Sequence, residues 1–137
     1  MTDSNEEIKK EEKAWRKVKY REKFLNAFRG FYVVSKTTRH LFIHVVSALV
    51  VIVFGFYFNV SSSEWMFLVF AIGFVFITEI LNTAIEIDMD LTSPQYHPFA
   101  RDTKDVAAAA VLFSVFVAIV IGLIVFLPKI ILLYVNM

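Results

Sequence analysis

Glu79, Asn82, Thr83, Glu86 and Asp90 lie in the segment E-I-L-N-T-A-I-E-I-D-M-D, at the end of an otherwise apolar run that opens at Trp65. At about 100° per residue all five fall within roughly 60° of Glu79 and form one stripe down a helix, whereas Asp88 lies on the opposite side. A carboxylate inside a membrane costs roughly 2.5–3.5 kcal/mol near the helix centre and less near the ends, so an intramembrane pair reads first as a functional site. A buried polar seam that only joins helices is the other reading. Tyr96, His97, Lys104 and Asp105 follow in the next polar stretch. Together these residues offer oxygen ligands for a hard cation, a lysine for phosphate, and a carboxylate in low-dielectric surroundings able to act as a base towards a hydroxyl. Phosphoryl transfer needs these parts: a clamp for a Mg²⁺-nucleotide, charge neutralisation and an oriented nucleophile. The chain has no GxxxxGK[ST] loop and no GxGxxG, and Gly30, Gly55, Gly73 and Gly122 stand alone. A nucleotide site here must be built from helix ends and side chains.

The elements that position the stripe are membrane helices. Of 137 residues 58% are hydrophobic and the mean hydropathy is +0.62, well above a soluble domain. There is no cysteine, which excludes disulfides, thiolate metal sites and a cysteine nucleophile. The charged first 39 residues do not read as a signal peptide. Residues 1–30 are expected to form an amphipathic surface helix, with Ile8, Trp15, Val18, Leu25 and Phe28 on one side and charged residues on the other. Residues 31–137 form a second unit with three spans at about 39–58, 65–87 and 105–127. A polar turn at 59–64 and a polar loop at 88–104 separate the spans. Lys104 and Asp105 are expected to open the third span, and Pro128 with Lys129 to break it, leaving an apolar tail. His44, the one ionisable group between Leu41 and Phe58, reads as a packed or hydrogen-bonded interfacial histidine.

Eleven of the fourteen Lys and Arg precede residue 40, two more lie in the loop 88–104, and the turn 59–64 holds none. The positive-inside rule then puts the N-terminus inside and the C-terminus outside a multi-pass cytoplasmic membrane protein. Glu79 lies ~21 Å along its helix from Trp65, in the inner third of a ~30 Å core. A lipid hydroxyl could meet Glu79 there, and a water-soluble reagent could meet Glu86. No nucleic-acid partner is expected.

The motifs E-I-L-N-T-A-I-E (Glu79 to Glu86), Asp90, S-P-Q-Y-H-P (Ser93 to Pro98) and K-D-V-A-A-A-A-V-L (Lys104 to Leu112) resemble the prokaryotic diacylglycerol kinase and undecaprenol kinase family. N-A-F-R-G (Asn26 to Gly30) and Ile43-His44 add to the resemblance. It runs from about Phe24 to about Phe126, and the S-P-x-Y-H-P form is more similar to the undecaprenol branch. The resemblance implies an all-α membrane protein, a homotrimer of three-helix protomers with a surface helix, whose active sites are shared between neighbours. It implies transfer of the γ-phosphate of ATP, with Mg²⁺, to a lipid alcohol (undecaprenol or diacylglycerol) at the cytoplasmic face. By position, Glu79 is implied as catalytic base and Glu86 as a Mg²⁺ ligand. Asn26, Gln95, Tyr96, His97, Lys104 and Asp105 are implied in nucleotide binding, with Asn82 and Asp90 in supporting polar roles.

The family pattern has a second metal-binding glutamate eight residues after Gly30, where this chain has Thr38. A threonine hydroxyl is a poor substitute for a carboxylate towards Mg²⁺. Lys36, Arg39 and His40 make that neighbourhood cationic, and Ala108 stands where a small serine is common. A scaffold that kept the fold and lost the activity is therefore the alternative to a kinase. A transporter or channel is disfavoured, because nothing polar but Thr78 continues from Glu79 towards the outer face.

Overall fold

The computed structural model describes residues 20–38 and 40–136. Ile8, Trp15 and Val18 of the expected surface helix lie outside them, as does Arg39. The described residues fall into two compact units divided between Lys36 and Thr37. All their regular elements are helices: α1 (Tyr20–Thr37), α2 (His40–Tyr57), α3 (Ser62–Thr92) and α4 (Pro98–Val135).

In the second unit α2, α3 and α4 are each long and apolar enough to span a membrane, so the protein is multi-pass. At 1.5 Å per residue α3 and α4 are ~46 and ~57 Å long, beyond the ~30 Å hydrocarbon core, so both project from it. Most of their apolar side chains are exposed in the single chain.

The α2–α3 connection is built by its sequence. Asn59 adopts φ 47°, a left-handed conformation that asparagine tolerates. The Asn59 and Val60 amides donate to the Phe56 and Gly55 carbonyls at 3.2 and 3.1 Å, which satisfies two carbonyls that α2 leaves over. Ser61 then caps α3: its hydroxyl accepts from the Glu64 amide at 3.3 Å, and its own amide donates to Glu64 Oε2 at 2.6 Å. Val60 and Trp65 flank the cap within one apolar cluster of Val60, Leu68, Val125 and Phe126. Trp65 lies over Gly55, where a Cβ would come within 2.5 Å of the indole. The other oxygen of Glu64 receives Lys129 Nζ at 3.0 Å, tying α4 to the start of α3.

Two expectations about α4 are corrected. The helix begins at Pro98, so Lys104 and Asp105 lie in its second turn and do not open it. Proline suits a first helical position because its fixed φ is already helical and the missing N–H would be unpaired there anyway. With α3 running to Thr92, the loop shrinks to 93–97. Hydropathy marks where a span leaves the membrane, and the helices continue into water. Pro128 does not break α4 either, and the helix runs on to Val135. Spanning helices tolerate an internal proline where local adjustment re-satisfies the freed carbonyl.

Candidate functional site

On α3 the stripe faces inwards where it enters the helix bundle. Glu79, Asn82 and Thr83 are buried, Glu79 to 2% exposure and Thr83 completely; Glu86 is half-buried and Asp90 exposed. The 3.6-residue period therefore predicts the buried face, and burial ends as α3 leaves the bundle.

Three hydrogen bonds order this face. Thr83 Oγ1 donates to the Glu79 carbonyl at 2.9 Å. Its only proton being committed, it accepts from Thr38 Oγ1 at 2.8 Å. Thr38, buried in the break between α1 and α2, thus stands against the stripe, where the sequence comparison with the family pattern put a metal ligand. One turn further, Asn82 Nδ2 donates to Glu86 Oε1 at 3.0 Å, which fixes the amide so that its oxygen is free. Above Glu79, Thr78 Oγ1 meets Ser114 Oγ at 2.8 Å and joins α3 to α4.

Two buried oxygens on the stripe have no hydrogen-bond partner among the described residues: Glu79 Oε1 and Asn82 Oδ1. Buried acceptors are nearly always satisfied, and an orphan is accounted for by an ordered water, an ion or a catalytic role. His44 approaches from α2, its Nε2 3.8 Å from Glu79 Oε2, with both side chains largely buried. Sequence reasoning read His44 as a packed or hydrogen-bonded interfacial histidine; that it faces the carboxylate emerges only when α2 is laid against α3. No group of three or more His, Asp or Glu converges among the described residues. Mg²⁺ takes one or two carboxylates and fills its remaining positions with water and substrate phosphate, so the donors Glu86 and Asn82 Oδ1 fit that ion without a full cage.

A second feature lies at the α3–α4 loop. A cavity of about 270 Å³ is lined by Asp90, Gln95, Tyr96, His97, Arg101 and Lys104 among others. It unites five of the residues singled out in the sequence and adds Arg101. Lys104 Nζ is paired with Asp90 across it. Asp105 is not part of the lining; its exposed carboxylate lies 3.6 Å from Arg101 Nε. Asn26 is exposed on α1. The site residues thus form two groups, a buried stripe on α3 and an open polar cavity at the α3–α4 loop.

Residues 25–126 match the family described as prokaryotic diacylglycerol kinase. The chain is 41% identical over 106 residues to the undecaprenol kinase of Bacillus subtilis, covering 77% of this chain and 86% of that one. It is 34% identical over 106 residues to the diacylglycerol kinase of Synechocystis, covering 77% and 61% of the two chains. It is 33% identical over 75 residues to the diacylglycerol kinase of Escherichia coli K12, covering 55% and 62%. With a match over most of its length and relatives that are lipid kinases, the chain belongs to the prokaryotic diacylglycerol kinase family and is a phosphotransferase with an alcohol acceptor.

Proposed function

We propose that the protein transfers the γ-phosphate of ATP to the hydroxyl of undecaprenol, as a Mg²⁺-dependent homotrimer at the cytoplasmic face of the cell membrane, with its N-terminus inside. The observation that carries this reading is the pair of unpartnered buried oxygens, Glu79 Oε1 and Asn82 Oδ1, one turn apart on α3. A carboxylate base and a hard-cation ligand would each leave such an oxygen open. Similarity to an undecaprenol kinase and the S-P-Q-Y-H-P segment favour the polyprenol. Diacylglycerol is the second acceptor, supported by the relatives of that name.

In this reading Glu79 takes the acceptor's proton. The acceptor oxygen bonds to the γ-phosphorus, and the bond from that phosphorus to the β–γ bridging oxygen breaks to release ADP. Lys104 and Arg101, at the polar cavity, hold the nucleotide's phosphates with Gln95, Tyr96 and His97 around them. Lys104 reaches them by exchanging its partner Asp90 for phosphate. Glu86 and Asn82 would hold a Mg²⁺, which when bound would supply charge neutralisation on the phosphoryl oxygens. Thr38 leaves the ion one protein carboxylate short of the family pattern. Burial of Glu79 keeps water from competing with the lipid hydroxyl.

The test is phosphotransfer from γ-labelled ATP in mixed micelles with undecaprenol or diacylglycerol, with and without Mg²⁺. Labelled polyprenyl phosphate that appears only with Mg²⁺ is the expected product. Label on neither lipid would refute the reading.

A further inference from the structure

Phosphoryl transfer to an alcohol sets one proton free in every turnover, because the acceptor loses it and the phosphate products are largely ionised at neutral pH. In the proposed reaction that proton arrives on Glu79, whose side chain is only 3% exposed. The carboxylate has to lose it before the next acceptor reacts, and burial denies it direct contact with water. Its polar neighbours on α3 and α4 do not carry the proton away. The Thr83 proton is committed to the Glu79 carbonyl. The Asn82 amide donates to Glu86 and does not titrate. Thr78 and Ser114 bond to each other and to carbonyls of their own helices. Glu86, the next carboxylate on the stripe, is seven residues or ~10 Å along the helix.

His44 is the titratable side chain that comes within reach. Its Nε2 lies 3.8 Å from Glu79 Oε2, and its side chain is 15% exposed, so the imidazole stands between the buried carboxylate and the surface. One turn earlier, at i−4 on the same side of α2, His40 opens the helix and is exposed. Exposure thus rises from Glu79 through His44 to His40, over ~6 Å of α2. From α4 no titratable group faces His44. Across the open apolar groove of about 340 Å³ between α2, α3 and α4 stand Val115, Ala118 and Gly122.

We infer that His44 is the proton exit of the buried base, taking from Glu79 the proton that each transfer leaves there and releasing it past His40 to water. The inference rests on the kinase reading and adds the step that readies the site for the next turnover. The proton arrives on Oε1, the oxygen that lacks a hydrogen-bond partner among the described residues. The last torsion of a glutamate is broad and roughly two-fold, so a half-turn brings that oxygen to the histidine side. At 3.8 Å the two groups are beyond direct hydrogen bonding, and one water ~2.8 Å from each would bridge them. An imidazole whose Nε2 is unprotonated binds the proton there, and the carboxylate is restored. The imidazolium then gives its proton to water and returns to neutral. Imidazole suits this task because it takes up and releases a proton near neutral pH. Over the cycle the alcohol's proton ends in solvent, with Glu79 and His44 unchanged. His44 acts through Glu79 and touches no substrate.

The experiment follows labelled product from γ-labelled ATP by rapid quench, using the whole protein in mixed micelles with the lipid that the parent phosphorylates. His44→Gln keeps bulk and hydrogen bonding but carries no proton, and His44→Ala leaves space for free imidazole. Both variants should complete a first turnover at the parent's rate and then settle to a steady state about tenfold slower or more, with the KM for ATP unchanged. Added imidazole should raise the steady state of His44→Ala several-fold and leave its first turnover and the parent unaltered. A residue that only packs would slow the first turnover as well, and imidazole would not restore it. A slowed first turnover, a steady state equal to the parent's, or no recovery with imidazole would each overturn the exit. The two readings fail distinguishably. A parent that labels neither lipid refutes the kinase reading, and the exit falls with it; an active parent whose variants give any of those three results refutes the exit alone.

Discussion

The hydroxyl of Thr83, fully buried, donates to the Glu79 carbonyl and accepts from Thr38, so the helix turn that carries the proposed base is tied to Thr38. A hydrogen bond of this kind contributes about 0.5–1.5 kcal/mol. Thr38→Glu removes it and places a carboxylate against a hydroxyl with no proton to give. Without a cation the variant should melt at a lower temperature than the parent, and Mg²⁺ should restore it more than it stabilises the parent, because an ion binding only the folded state stabilises that state. Turnover should reach half-maximum at a lower Mg²⁺ concentration. A variant indifferent to Mg²⁺ in thermal unfolding would show that Thr38 does not border the ion. Glu79→Gln keeps shape and removes the basic oxygen, so turnover should fall by roughly 10²–10⁴-fold with nucleotide affinity nearly unchanged. A variant that keeps most of its turnover would make Glu79 a seam residue.

At the scale of elements, several specific contacts cluster at the end of the bundle away from the stripe. There the left-handed Asn59, the Ser61–Glu64 cap, the Lys129 ion pair and the Trp65–Gly55 contact all fix the α2–α3 hairpin to α4. Gly55→Leu has no room under the indole and should destabilise the protein by about 1–3 kcal/mol, read as a lower Tm in detergent. Gly122→Leu meets open space and should leave Tm unchanged or raised. The contrast separates a glycine needed for close approach from one that keeps a groove open. An unchanged Tm in both would mean that the hairpin packing is not what holds this end together.

The spanning helices of the whole molecule expose apolar faces that lipid or neighbouring copies would cover. If sites are shared, protomers carrying Glu79→Gln mixed with protomers carrying Lys104→Ala should recover part of the activity that each lacks alone. Absence of rescue at every ratio would assign the site to one protomer. Orientation is tested independently: cysteines introduced at Ser62 and His97 should be labelled from outside and from inside, respectively. Labelling of position 97 from outside would remove the cytoplasmic nucleotide from the scheme.

How much of this was legible in the sequence follows from the range of the forces involved. The helical period put Glu79, Asn82, Thr83 and Glu86 on one face, and hydropathy located three spans, because both signals are local and repeat along one chain segment. The motif around Glu79 and the run from Lys104 carried the family. Helix ends in water escaped that reading: Thr92, Pro98 and Val135 are set by turn geometry and hydrogen bonding, to which hydropathy is blind. His44 facing Glu79, Thr38 donating to Thr83, Lys104 paired with Asp90 and the open groove between α2 and α4 depend on how helices pack across 14 to 82 residues of sequence. No periodicity within one helix encodes the rotation of its neighbour. That rotation is decided by side-chain packing in three dimensions, with Gly55 admitting Trp65 at one end and small residues withholding contact in the middle.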